Sequence, residues 1–378
     1  MKMMKRLLAM LMMLCMLAPV CVFAEEEAPA DPFSDTIVID TEDVQSAEDE
    51  VYIPEEDEEL ASAIEILDAE IDDTVDPKKL DLNENLPDHV VNILLVGIDG
   101  RTEDMGDKNS TQHGDVQIIV SINKDTGEIK LTSILRDLYV TIPGYKSKNR
   151  INVAYQRGGG ELAMRTINHN FEMNIEHYVV INFFGLASII DSLGGMDIEL
   201  TKQEAGAINA YIKKHPPVYD NQDDDYERVP LEKKNGVQHL DGIQAVMYAR
   251  LRSIDNDFAR SARQRNLLEL LLKKVTQGGM DFNKLFGLLE TCLPYAKTNM
   301  SLSDLGNLAM VVLQSGLLDR VNSGAPLLEQ NRIPMDGTWK YDETSSGASV
   351  VAFRNTTRTK ENVQGIHEFI YGEYIPAK

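Results

Sequence analysis

Val90-Val91-Asn92-Ile93-Leu94-Leu95-Val96-Gly97 decides the fold class. The run is apolar almost throughout and stops at a glycine, without the alternation of a strand that faces water on one side. Such a run predicts a central strand buried on both faces. Working outward, Asp99 and Arg101 stand just past its end, and Gly100–Gly114 is polar and reads as a loop. Asp115–Asn123 is expected as a second strand, with Ile118, Ile119 and Val120 at its centre. Lys124-Asp125-Thr126-Gly127 reads as a hairpin turn. Glu128–Leu135 returns as a third strand ending at Arg136-Asp137, and Leu138–Ile142 is a short strand closed by Pro143-Gly144.

Helical spacing follows. Gly160–Phe171 repeats through Leu162, Ile167 and Phe171; Phe183–Leu193 is a helix after a strand at Tyr178–Asn182. Met196–Leu200 is a strand, Lys202–Ile212 a helix, and His215–Asn235 a polar surface excursion. Asp241–Ala249 is a helix. Asp257–Val275 has the clearest apolar stripe, through Leu267, Leu268, Leu271, Leu272 and Val275. The tail is expected to hold a helix near Leu302–Leu313, a strand at Ser349–Phe353 and a closing helix near Lys360–Tyr371. Strands alternating with helices predict an α/β fold: a three-layer αβα domain with a mixed central sheet.

The N-terminus reads differently. Lys2, Lys5 and Arg6 precede an apolar Leu7–Phe23, and Val22-Phe23-Ala24 has small residues where a signal peptidase reads. This is the layout of a secretory signal; the rival reading is an uncleaved membrane anchor. Either places the remainder outside the cytoplasm. Residues 25–88 hold 25 Asp and Glu against Lys78 and Lys79, so this one segment carries nearly all of the chain's net charge of −24. Its composition predicts a disordered acidic linker. The expected organisation is 1–24 signal or anchor, 25–88 linker, 89–278 catalytic domain and 279–378 a C-terminal extension packed on that domain. Cys15 and Cys21 lie in the leader, so its removal leaves Cys292 as a lone thiol. A core must then stabilise the fold.

Several chemistries are excluded by their motifs. There is no Gly-x-x-x-x-Gly-Lys-Ser/Thr, no Gly-x-Ser-x-Gly and no His-Glu-x-x-His. The seven histidines show no metal spacing. Gly158-Gly159-Gly160 does not follow a strand and reads as a plain loop rather than a phosphate cradle. What stands out is arginine. Arg250 and Arg252 flank Leu251 where a helix runs out; Asp257, Arg260 and Gln264 share one helical face, with Arg263 beside them. A solvated face of local Asp–Arg pairs is the plain alternative, each pair contributing under ~1 kcal/mol. Arginine rather than lysine favours a planar fork for phosphate oxygens. Arg136 adds to the set from a strand end, where α/β sheets bind ligands. Asp99 and Asp115 can meet at the same sheet edge, and two carboxylates there suit a magnesium ion on phosphate oxygens.

These residues fall into an ordered set of motifs. Val96-Gly97-Ile98-Asp99-Gly100-Arg101, then Asp115 opening an apolar strand, Ser133-Ile134-Leu135-Arg136-Asp137 and Arg150-Ile151-Asn152-Val153-Ala154-Tyr155 come in sequence. Leu240-Asp241-Gly242-Ile243-Gln244-Ala245 leads to Tyr248-Ala249-Arg250-Leu251-Arg252 and Asp257-x-x-Arg260-x-x-Arg263-Gln264. In this order they resemble the LytR-CpsA-Psr family across roughly residues 92–275. The resemblance implies a Gram-positive enzyme that transfers a glycopolymer from a polyprenyl diphosphate carrier to peptidoglycan, at the outer face of the cytoplasmic membrane. It implies Arg136, Arg250, Arg252 and Asp257 as catalytic residues. It implies a diphosphate-binding set of Arg101, Arg136, Arg150, Arg250, Arg252, Arg260, Arg263 and Gln264, and Asp99 and Asp115 around Mg2+. The carrier's tail is expected in an apolar pocket between sheet and helices. Asp99, Asp115 and Asp257 are all candidates for the base. Nucleic acid is not an expected partner, and no oligomeric state is implied.

The chain departs from the family's usual Arg-Ser-Asp-Thr at His113-Gly114-Asp115-Val116, which puts an imidazole, mostly neutral at pH 7, where a guanidinium is usual. Leu135 stands where proline is usual. Two further readings therefore stay open: a carrier-lipid or wall-polymer binding protein with little turnover, and a diphosphate hydrolase.

Overall fold

A computed structural model describes residues 75–98, 112–214, 228–252, 254–277, 296–300, 308, 328–344 and 347–378. The apolar run forms β1 (Val90–Ile98), an inner strand of a six-stranded sheet. It pairs antiparallel with β2 (Gly114–Asn123), which returns through the expected turn to β3 (Ile129–Ile134). A two-stranded ribbon, β4 (Tyr139–Val140) with β5 (Asn149–Arg150), then leads into helix α1 (Val153–Phe171). This helix crosses to β6 (His177–Asn182), which lies parallel to β1. Helix α2 (Phe183–Ser192) starts at once, capped by the side chain of Asn182. Then come β7 (Met196–Leu200), α3 (Lys202–Lys214), β8 (Gly236–Leu240), α4 (Gly242–Arg250) and α5 (Asp257–Gln277). The tail supplies β9 (Ala296–Thr298), β10 (Glu329–Ile333), the antiparallel ribbon β11 (Trp339–Glu343) and β12 (Ser349–Phe353), and α6 (Thr356–Tyr371).

The sheet order is β10-β3-β2-β1-β6-β9, with β10–β3 and β1–β6 parallel and the rest antiparallel. The mixed sheet is as expected, and so are the layers. Leu94, Val96 and Ile98 of β1 face a core shared with α1 and α6, including Ile167, Phe171 and Ile366. Ile93, Leu95 and Gly97 face the other side, toward α2, α4 and α5. Alternate residues of one strand thus serve two cores, which is why the run shows no polar alternation.

Four differences from the sequence reading have physical causes. The expected linker bound at residue 88 does not hold for its described part: Leu80 and Leu86 are buried, and the Asn83 side chain donates to the carbonyls of Glu172 and Ile375. The tail supplies both edge strands of the central sheet, β9 on β6 and β10 on β3. The glycine run is not a connecting loop but a break inside α1. Gly158 and Gly159 leave helical geometry there, with φ of 62° at Gly159, where glycine fits without strain. Strand β8, paired with β7, follows directly on the polar excursion. The leader, the lone Cys292 and most of the helix expected near Leu302–Leu313 lie outside the described residues.

Candidate functional site

Three backbone devices bring the charged residues together at the C-terminal end of β1. The first is a bulge in β2. Gly97 pairs with Val116 and Ile98 with Gly114, so Asp115 is the extra residue. A bulge re-aims its side chain out of the ladder. Gly97 permits the close approach, since a Cβ there would stand 2.8 Å from that of Val116. The second device is α4. Asp241 and Gln244 form a reciprocal capping box, Gly242 through Ala249 are buried, and the helix ends at Arg250. Leu251 turns extended, which sends Arg252 onward. The third is the first turn of α5, held on Asn256, whose side chain accepts from the backbone N–H groups of Phe258 and Ala259.

The resulting cluster is tightly linked. Arg136 Nη1 donates to Asp115 Oδ1 at 2.9 Å, and Arg252 Nη2 donates to Asp115 Oδ2 at 3.3 Å. Arg136 Nε donates to Asp137 Oδ2 at 3.2 Å, and Arg150 Nε stands 3.6 Å from Asp137 Oδ1. Arg150 also donates to the carbonyl of Ser349 at 3.1 Å. Arg260, only 3% exposed, has Nη1 2.8 Å from Asp257 Oδ1. That contact lacks the alignment of a hydrogen bond, so this buried guanidinium nitrogen has no hydrogen-bond acceptor among the described residues. The guanidinium of Arg250 stacks on Phe183, 4.2 Å from the ring centre.

Charge is crowded here. Burial, with Arg136 and Arg252 nearby, pushes Arg260 down to about 10, against the pull of Asp257. Burial works the same way on Arg136, but Asp137 and Asp115 outweigh it and hold its guanidinium above the ordinary value. Asp137 is raised, chiefly by burial, against the pull of Arg136. Among the described residues, Arg136, Arg150, Arg252 and Arg260 meet Asp115, Asp137 and Asp257, and Arg250 stands beside them on Phe183. These planar forks suit an anionic ligand with several oxygens.

Two cavities meet at this cluster. A polar basin of about 260 Å³ is lined by Asp115, Arg250, Arg252, Arg260 and Gln264, with Phe183, Met247 and Tyr211 in its wall. An apolar cavity of about 130 Å³ lies between the sheet and α2, α4 and α5, lined by Ile93, Leu95, Ile118, Val246, Leu267 and Leu271 among others. Phe183 and Gln264 belong to both linings.

Of the expected residues, Arg136, Arg150, Arg250, Arg252, Asp257, Arg260, Gln264 and Asp115 are brought together. Arg263 is not. It donates to Glu204 Oε1 at 2.9 Å and to the carbonyl of Leu251 at 3.2 Å, and it pairs with Asp255. Its guanidinium is spent holding the arginine loop against α3. Asp99 and Arg101 lie outside the described residues. No group of three or more His, Cys, Asp or Glu gathers among the described residues. Phe183 was missed, although it directly follows β6, a strand whose end adjoins that of β1. Arg265, next to Gln264, is turned to β3 and β10 instead: it donates to Ser133 Oγ at 2.9 Å and Gln330 Oε1 at 3.0 Å, and burial with Arg332 nearby takes it down to about 10.

Comparison with known proteins follows the same line. The LytR_cpsA_psr family profile matches residues 61–359. The polyisoprenyl-teichoic acid--peptidoglycan teichoic acid transferase TagV of Bacillus subtilis (strain 168) is 28% identical over 232 residues, 60% of this chain and 54% of its own length. The corresponding TagU of Enterococcus faecalis (strain ATCC 700802 / V583) is 29% identical over 241 residues, 61% of this chain and 68% of its own. The chain thus spans little more than half of the first relative. Among solved structures, the LytR-CPS2A-psr family protein YwtF (TagT) with bound octaprenyl pyrophosphate lipid superposes with a TM-score of 0.51 at 19% identity, covering 79% of this chain and 94% of that one. That likeness is one of fold.

Proposed function

The chain belongs to the LytR_cpsA_psr family, and from that footing we propose that it transfers a glycopolymer from a polyprenyl diphosphate carrier to peptidoglycan. The observation that carries this reading is the junction at Phe183 and Gln264, where an arginine basin opens onto an apolar cavity. Such a pair of cavities fits an amphiphile whose anionic head sits at the root of an apolar tail. The names of the relatives TagV and TagU, and the lipid bound in YwtF, point the same way.

In the proposed step, an acceptor hydroxyl oxygen attacks the phosphorus that carries the glycan. The bond from that phosphorus to the bridging oxygen breaks. Polyprenyl phosphate leaves, the hydroxyl proton passes to a base, and the glycan ends in a phosphodiester. Catalysis of this kind is mostly positioning and charge neutralisation. Arg136, Arg250, Arg252 and Arg260 supply it, each worth about 4 kcal/mol gross for an opposite charge at ~4 Å and an effective dielectric near 20. Asp115 has a guanidinium on each oxygen, and Asp137 has one on Oδ2 with a second near Oδ1. Asp257 meets one, Arg260, through Oδ1. We therefore assign Asp257 as the base.

Magnesium belongs to the proposal in a limited form. Mg2+ is held by one or two carboxylates together with substrate phosphate oxygens and waters. Asp115 is the described carboxylate suited to this, with Asp99 as its expected companion. Both oxygens of Asp115 meet guanidinium groups, so the described residues form no cage without a phosphate. When bound, the ion would neutralise diphosphate oxygens. We place the folded part outside the cytoplasm, secreted or anchored, since its acceptor is the wall. No helix among the described residues is long and apolar enough to cross a membrane.

The test is to incubate the full chain in detergent micelles with a polyprenyl-diphosphate oligosaccharide, magnesium and peptidoglycan fragments. Ligated product is expected. Release of free glycan phosphate in its place would make the protein a hydrolase, and binding with neither product would sink the enzymatic reading.

A further inference from the structure

Phe183 and Gln264 lead from the diphosphate basin into the apolar cavity. Asp137 and Arg150 join the arginine cluster through Arg136 but touch a different part of the fold. Arg150 Nε donates to the carbonyl of Ser349, and the N–H of Val351 donates to the carbonyl of Asp137 at 2.9 Å. Leu138 bridges to Val351 as well. The β11–β12 ribbon is therefore fastened to the backbone beside the cluster, and Trp339, Val351 and Phe353 pack with the core on the sheet face opposite the tail cavity.

The ribbon carries an aromatic row. Trp339 and Tyr341 alternate with Lys340 on β11 and so share one face. Phe258, next to Asp257, packs on Trp339 with ring centres 4.4 Å apart. Trp339 in turn meets Tyr341 edge-on at 5.1 Å. On the far side of Phe258 the guanidinium of Arg332 stacks at 4.3 Å. The row starts in the core and ends at Tyr341, which is 60% exposed. A single exposed aromatic is ordinary. This one is the outer end of a stacked series that fixes its ring, and its strand partner is Val351, the residue bonded to Asp137. Two strand spacings, roughly 10 Å, separate the backbone of Tyr341 from that of Asp137.

We infer that Trp339 and Tyr341 form a saccharide subsite beside the arginine basin. The inference rests on the proposed function, because it is that reading which requires a sugar on the side of the diphosphate away from the tail. The chemistry suits the ligand. A pyranose offers an apolar C–H face that packs on an aromatic ring, and hydroxyls that need polar neighbours. Glu343 supplies one on the same face of the strand, while Lys340 and Asp342 pair with each other at 2.7 Å on the opposite face. A pre-fixed tyrosine or tryptophan gives contact area at low entropic cost. Two saccharides come to this place, the glycan on the carrier and the glycan strand of the acceptor.

Trp339 is the chain's single tryptophan, so its emission reports on this subsite alone. The experiment uses the full chain in detergent micelles and three probes: sugar-free polyprenyl diphosphate, polyprenyl diphosphate bearing a disaccharide, and a lipid-free peptidoglycan glycan fragment. Binding is followed by calorimetry and by Trp339 emission. Tyr341→Ala should weaken one of the two sugar-bearing probes about tenfold and leave the sugar-free carrier unchanged, while Tyr341→Phe retains wild-type affinity. Loss on the disaccharide carrier assigns the subsite to the donor; loss on the lipid-free fragment assigns it to the acceptor. Affinities of Tyr341→Ala within twofold of wild type for both sugar probes overturn the inference, and so does an equal loss for the sugar-free carrier. A wild-type chain that fails to bind sugar-free polyprenyl diphosphate refutes the diphosphate basin instead, and the lipid-free fragment still tests the platform.

Discussion

Arg136 is the hinge of the proposed site, and removing it separates the catalytic argument from a structural one. Its guanidinium joins Asp115 on β2 to Asp137 beyond β3, with side-chain exposures of 18%, 17% and 14% for Arg136, Asp115 and Asp137. Arg136→Ala has two costs. Among the described residues, Asp115 then keeps Arg252 at 3.3 Å, and Asp137 keeps Arg150 at 3.6 Å without a close hydrogen bond. Leaving charged groups under-satisfied costs about 1–3 kcal/mol of stability. The second cost falls on turnover. One opposite charge at ~4 Å contributes about 4 kcal/mol gross at an effective dielectric near 20. Part of that is made equally to bound substrate and does not speed the reaction. A fall of about 10²–10³ in kcat/KM is the expectation, as for loss of one pre-placed donor. The assay is ligation of a labelled polyprenyl-diphosphate oligosaccharide to peptidoglycan fragments, run beside a thermal melt. Arg136→Ala combined with Asp137→Asn removes the stranded carboxylate, so the double variant should regain most of the lost stability and none of the activity. Activity within threefold of wild type in a folded Arg136→Ala protein would falsify the placement of the diphosphate.

Three further outcomes follow from the same structure. Leu267→Trp fills the apolar cavity and should abolish binding of a long-tailed carrier at a stability cost of about 1–3 kcal/mol, while a short water-soluble diphosphate still binds; unchanged carrier affinity by calorimetry would move the tail elsewhere. Burial raises Glu204, but the N–H of Thr201 and the guanidinium of Arg263 outweigh it and hold the carboxyl below the ordinary value, so its stabilisation is complete above that value and is lost as pH falls through the lowered one. Glu204→Gln should therefore melt lower than wild type at neutral pH and converge with it in acid, as read by calorimetric melts. His367 is fully buried; its Nε2 faces the carbonyl of Phe171 and its Nδ1 accepts from the N–H of Ile375, which fixes the neutral ring, and burial keeps it below the ordinary 6.5. The unfolded chain takes the proton first, so stability should decline below pH 6.5 by up to about 1.4 kcal/mol per pH unit, and His367→Gln should flatten that slope in melts between pH 5 and 7.5.

The fold was legible where burial writes itself into sequence and illegible where pairing alone makes the strand. β1 declares itself because both of its faces meet a core. β10 reads Glu329-Gln330-Asn331-Arg332-Ile333. Nothing in that pattern marks a strand; it becomes one because β3 presents an open edge, and an edge strand can keep polar residues toward water. β8 is hidden for a similar reason, with Val237 65% exposed and His239 on the outer face. The packing of Leu80 and Leu86 could not be read from composition, because the residues that anchor this segment bond to positions far along the chain, Asn83 to Ile375 among them.

The site shows the same division, and it explains which arginines the fold brings together. Arg136 lies just past β3 and Arg250 at the end of α4, and an element's end aims a residue without help from distant partners. Arg260 and Gln264 share a helical face, so the periodicity that predicts α5 also orients them. Arg263 lies within one turn of both, and no helical wheel could exclude it. What turns it away is Glu204, 59 residues earlier, with Asp255 and the Leu251 carbonyl. The same guanidinium that would be a ligand in isolation is a clamp once three acceptors converge on it. Asp115 shows the reverse: on a regular β2 its side chain would lie within the ladder's alternation, and only the bulge opposite Gly97 and Ile98 brings it between Arg136 and Arg252. Residue type therefore selected the candidates, while acceptors remote in sequence decided which of them remain available to an anion.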